Sequence, residues 1–137
     1  MSSAVLELDK EIFRHAEETG LEKGFLELLK IRASQINHCA FCLRMHTRDA
    51  LKYGESTERI SVLPAWRETG YFNEKERGAL ALMEAITSIS DGQVPDETYH
   101  FASASLNEKE IAAVEWLGVM INSWNRIAIS GRTPVAP

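Results

Sequence analysis

Only two cysteines occur in the 137 residues, Cys39 and Cys42, so a framework of several disulfide staples is excluded. A chain of this length can bury a core without one. A basic excess is missing as well. Fifteen Lys and Arg stand against twenty Asp and Glu, a formal net charge of -5, which argues against a surface for phosphate backbones and so against a nucleic-acid partner. The stretch from Met1 to Lys10 lacks the basic start and continuous apolar run of a secretion signal. No later segment supplies the uninterrupted apolar run of about 18 residues that a membrane span requires. The expectation is a cytoplasmic protein without membrane contact. Strict apolar alternation between turn signals is also absent, and every strong period is helical. Residues 1–137 therefore read as one all-α domain, of ordinary globular composition at 45% hydrophobic and 26% charged residues.

The period and the capping residues place the helices. The first is predicted from Asp9, as N-cap, to Thr19 before Gly20, and the second from Glu22 to about Gln35, with Leu26, Leu29, Ala33 and Ile36 on its buried face. A third runs from about His38 to Tyr53 and ends at Gly54. Short turns are expected over residues 56–63 and 64–69. Asn73 with Glu76, and Asn107 with Glu110, have the spacing of capping boxes. The helix opened by Asn73 carries a core stripe of Leu80, Met83, Ile86 and Ile89, and a shorter helix follows Pro95 over residues 96–103. The last, from about Glu108 to Ile129, is apolar around much of its circumference, including Trp116, Val119, Trp124 and Ile127. In a small domain such a helix needs cover on several sides, and a second copy of the chain is the expected source. The tail from Ser130 to Pro137 reads as a loose end or an arm reaching across a neighbour.

Cys39, Cys42 and His46 form a C-x2-C-x3-H cluster on the third helix. On a regular helix the three fall within an arc of roughly 60 degrees. Two thiols one turn apart can close a small disulfide ring reversibly, and an imidazole beside them is a base that works near neutral pH. One thiolate can attack a peroxide O–O bond while the second captures the sulfenic acid that results. Spacing does not say which cysteine attacks: the helix start favours Cys39, while the i to i+4 relation favours Cys42 with His46. His15, His38 and His100 have no such context and are expected at the surface. Arg44, Arg48 and Lys52 read as a solvated stripe. Glu27, twelve positions before Cys39, falls with Lys30 and Ser34 on what the helical wheel makes the polar side of its helix, as a solvated Glu27–Lys30 pair. The rival to redox chemistry is a zinc site built from Cys39, Cys42, His46 and Glu27.

The segment Glu27-Leu-Leu-Lys-Ile-Arg-Ala-Ser-Gln-Ile-Asn-His-Cys-Ala-Phe-Cys-Leu-Arg-Met-His46 closely resembles the AhpD-like alkylhydroperoxidase branch of the carboxymuconolactone decarboxylase superfamily through its E-x11-C-x2-C-x3-H motif. Similarity is strongest over about residues 21–85. Val94-Pro-Asp-Glu and Asn122-Ser-Trp-Asn-Arg126 extend it over almost the whole chain. The resemblance implies an all-helical trimer or hexamer with no cofactor or metal. It also implies a thiol-dependent reduction of hydroperoxides in which Cys42 is the peroxidatic residue and Cys39 its resolving partner. His46 and Glu27 are implied as a proton relay, and a thiol or lipoyl-type system as reductant. One departure stands out: Phe41 replaces the histidine that well-studied members carry before the second cysteine, which leaves room for disulfide reductase chemistry. The lactone decarboxylases share the fold but do not depend on a cysteine pair, so the pair argues against that reaction. The same fold without turnover, serving as a scaffold, is a further reading.

Overall fold

The computed structural model describes residues 2–137. The helices are α1 (Ser2–Glu18), α2 (Lys23–Asn37), α3 (Ala40–Lys52), α4 (Thr57–Val62), α5 (Glu74–Thr87), α6 (Asp96–Ser105) and α7 (Glu108–Ser130), with a 3-10 segment at Leu63–Glu68 after α4. No strand occurs among the described residues, so the all-α expectation holds.

Helix α2 is the centre of the molecule. It packs against α1, α3, α5, α7 and the 3-10 segment. Its sequence explains that position, because Phe25, Leu26, Leu28, Leu29, Ile31 and Ala33 are buried and lie on more than one face. Ile36, expected in the same buried stripe, is only half-buried. The polar side assigned to this helix is not solvated: Glu27, Lys30 and Ser34 are buried too. The wheel fails here because it sees one helix at a time, whereas α1, α3 and α7 cover the arc that would otherwise face water.

Both capping boxes form as predicted. Asn73 accepts from the Glu76 N–H and Asn107 from the Glu110 N–H, and each glutamate accepts from the asparagine N–H in return. Gly20 and Gly54 take left-handed φ values of 100° and 88° and close the ends of α1 and α3.

Several expectations need correction. Helix α1 begins seven residues before Asp9, which lies inside it rather than at its cap. Val5 joins Ile12 and Ala16 on one apolar face and carries the helix upstream. Ile89 lies past the end of α5 and is half exposed. On α7, Ile111, Val114, Leu117, Met120 and Ile121 are buried, while Trp116, Val119, Ile127 and Ile129 stay exposed. Residues 131–137 are exposed throughout, with one bond to α3 in which the Arg44 guanidinium donates to the Ala136 carbonyl.

Candidate active site

The turn between α2 and α3 positions both sulfurs. His38 ends α2 in the left-handed region, at φ 59° and ψ 43°, where its N–H donates to the Gln35 carbonyl at 3.3 Å. The Cys39 N–H donates to the Ser34 carbonyl at 3.0 Å. Six-to-one and four-to-one closures of this kind reverse the chain and satisfy carbonyls that a helix end would leave bare. Cys39 is then extended and becomes the N-cap of α3 instead of its first full turn, with Sγ accepting from the Cys42 N–H at 3.3 Å. Cys39 and Cys42 are joined as a disulfide, with Cα atoms 5.3 Å apart. The junction buries both, each 1% exposed, Cys39 between the exposed His38 and Ala40 and Cys42 between the half-buried Phe41 and Leu43.

A polar network from α7 supports this turn. The buried Asn125 donates from Nδ2 to the Ser34 hydroxyl at 3.0 Å, and Asn37 donates to Asn122 Oδ1 at 2.8 Å and to Asn125 Oδ1 at 2.9 Å. Ser34 is thus held by its side chain while its carbonyl holds Cys39. Sequence reasoning gave these asparagines no role. The available signal was a pair of asparagines three residues apart within an otherwise apolar helix.

His46 and Glu27 meet across the α2–α3 contact, where both are at most 5% exposed. His46 Nδ1 donates to Glu27 Oε1 at 3.2 Å. Because a carboxylate only accepts, this bond places the neutral ring's proton on Nδ1 and leaves Nε2 as a lone-pair acceptor. Nε2 is buried and has no hydrogen-bond partner, so neither sulfur of the disulfide engages it. The Lys30 ammonium lies 3.0 Å from Glu27 Oε2, off the hydrogen-bonding direction, and makes an ionic contact. Burial pushes the Glu27 carboxyl upward most strongly. The His46 bond and the Lys30 charge together outweigh it and hold the group below its ordinary value.

The four residues singled out from sequence therefore fall into two pairs, a disulfide and a buried carboxylate–imidazole hydrogen bond. In this oxidised form the sulfurs are bonded to one another and present no thiolate to a zinc ion. Glu27, His46 and Asp49 present donor atoms within 4.8 Å of each other, but Lys30 already supplies Glu27 with a cation. A cavity of about 610 Å3 between α1 and α7 has none of the four in its lining. A second recess of about 400 Å3 between α1, α2 and α3 does reach Glu27. His15, His38 and His100 are exposed, as expected.

An all-helical protein with a paired-cysteine helix start and a buried carboxylate–imidazole pair is the class that this geometry defines. The chain belongs to the carboxymuconolactone decarboxylase family, whose model matches residues 1–85, and to its AhpD-like branch. It is 42% identical over 117 residues to the uncharacterized protein YdfG of Bacillus subtilis (strain 168), covering 85% of this chain and 80% of that one. A crystal structure of an Agrobacterium tumefaciens protein of unknown function, described as a candidate antioxidant defence protein AhpD, superposes with a TM-score of 0.86 at 35% identity, covering 98% of this chain and 90% of that one.

Proposed function

We propose that the protein is a thiol-dependent peroxidase that reduces hydroperoxides through the Cys39–Cys42 pair. The observation that carries this reading is the disulfide at the start of α3 beside a buried carboxylate–imidazole pair on the same helix contact. In the reduced protein His46 Nε2 takes the Cys42 proton, directly or through water, since sulfur and ring stand one helical turn apart. The Cys42 thiolate attacks the peroxide O–O bond. Sulfur gains one oxygen as sulfenic acid, and the departing alkoxide leaves as alcohol with the proton that His46 holds. The Cys39 thiol then attacks the sulfenic sulfur; water departs, and the disulfide seen here results. A dithiol of the lipoyl type supplies two electrons and two protons to reset the pair. A cytoplasmic location suits that chemistry, because a reducing compartment returns the pair to the dithiol between turnovers. The exposed apolar residues of α7 support a homo-oligomer, a trimer or hexamer.

The test is peroxide consumption with dihydrolipoamide as donor. Wild type should consume hydroperoxide in proportion to donor oxidised, and Cys42→Ser should not.

Disulfide exchange with another thiol protein is the second reading. Cys39 Sγ at the N-terminus of α3, accepting the Cys42 N–H, favours it, because that position stabilises a Cys39 thiolate. Phe41 in place of a histidine points the same way. Donor oxidation that proceeds with a disulfide substrate but not with peroxide would select this reading.

A further inference from the structure

We propose that Lys30 is a positioning residue for the relay: its ammonium fixes Glu27 as a charged acceptor and, through Glu27, fixes Nε2 as the basic nitrogen of His46. The proposal rests on the peroxidase reading for its purpose, but its physical content is separable.

Lys30 is a poor fit to a merely solvated side chain. It is 8% exposed, its Nζ lies 3.0 Å from Glu27 Oε2, and the same ammonium sits 4.3 Å from the centre of the Phe13 ring. Carboxylate on one side and aromatic face on the other leave little freedom for the charge. Taking such a group out of water is costly unless its partner is charged as well, so the contact favours Glu27 as a carboxylate.

The consequence runs along one line of atoms. An ionised Glu27 accepts from Nδ1, and Nε2 is then bare. A protonated Glu27 is a donor, which would favour the tautomer with hydrogen on Nε2, and that tautomer takes no proton from a thiol.

The remaining charges around the recess do not substitute for Lys30. Asp9, Lys10, Arg14 and Glu17 face it from α1, Lys23 from α2 and Asp49 from α3, three anions against three cations. Lys23 is already paired with Glu17 at 3.3 Å and Arg14 with Glu11 and Glu18. Tyr53 is the remaining titratable group at the rim, and His46 is the group acted upon. Lys30 is thus the cation in contact with the relay carboxylate.

Nitrogen-15 and carbon-13 NMR on the whole protein tests this without reference to turnover. In wild type the Glu27 carboxyl carbon should remain in its ionised position from pH 8 down to pH 5, and the His46 ring in its neutral form should carry its hydrogen on Nδ1 with Nε2 bare. Lys30→Met should move the Glu27 transition up by about one pH unit or more and shift His46 toward the Nε2–H form. Lys30→Arg should restore both. Phe13→Leu, which leaves the charge in place, should change them less and in the same direction. A wild-type Glu27 that titrates near neutral pH overturns the proposal even if no variant folds. So does a Lys30→Met protein with unchanged Glu27 and His46 signals. Failure of the peroxidase reading would look different: these signals would respond as stated while peroxide consumption was absent from wild type.

Discussion

His46 on α3 donates from Nδ1 to Glu27 on α2 at 3.2 Å, across 19 residues of sequence and inside the protein. This bond decides the tautomer of the ring and therefore where a thiol proton can go. It also turns a glutamate that sequence spacing leaves at a surface into the buried anion on which the site depends.

Replacing that anion should damage activity and stability together. Glu27→Gln keeps the shape but removes the charge that Lys30 and His46 share. Peroxide reduction should fall by about two to four orders of magnitude, the usual contribution of a positioned acid or base. Stability should fall by roughly 3–5 kcal/mol, because a buried ammonium is left without its partner. Steady-state rates and urea unfolding at pH 7 measure the two effects.

The same pair gives stability a defined pH dependence. Glu27 is held below the ordinary value of 4.5 in the folded chain, so its contribution is fully present above that value and is lost as pH falls through the lower folded one. Glu84, bonded to Arg32, Arg67 and Trp66, and Glu110, bonded to Lys75, are depressed and act in the same sense. Urea midpoints should be level from pH 7 to about 5 and decline below about 4.5. Glu27→Gln should show a shallower acid decline.

Reduction of the disulfide should leave the fold standing. A ring closed between residues three apart restricts the unfolded chain little, and the loop-entropy relation gives roughly 2 kcal/mol for it. Thermal melts with and without reductant should keep one cooperative transition, displaced by only several degrees. Collapse of the helical signal on reduction would make the bridge a staple rather than a working group.

Exposed Trp116, Val119, Ile127 and Ile129 leave α7 with more apolar surface than a lone domain needs. Sedimentation at micromolar concentration should find an oligomer, and Trp116→Glu should weaken it. A monomeric wild type would contradict this.

Much of the architecture was legible because capping chemistry is local: the Asn73 and Asn107 boxes and the Gly20 and Gly54 ends stand where the sequence places them. The cysteine helix start was legible for the same reason. The setting of Glu27 was not, because a wheel cannot show that α1, α3 and α7 close over the side it assigns to water. The apolar residues on several sides of α2, from Phe25 to Ala33, were the overlooked sign that this helix is central. The Asn37, Asn122 and Asn125 network was illegible on similar grounds, since its bonds join residues 85 and 88 positions apart.

The most direct measurement is mass spectrometry under nonreducing conditions after peroxide treatment of prereduced wild type, Cys39→Ser and Cys42→Ser, with a sulfenic-acid trap present. The account predicts a Cys39–Cys42 bridge in wild type and a trapped sulfenic acid on Cys42 in Cys39→Ser. Trapping on Cys39 in Cys42→Ser, with none on Cys42 in Cys39→Ser, would contradict it by reversing the roles. Unreacted thiols in all three proteins would remove peroxide chemistry altogether.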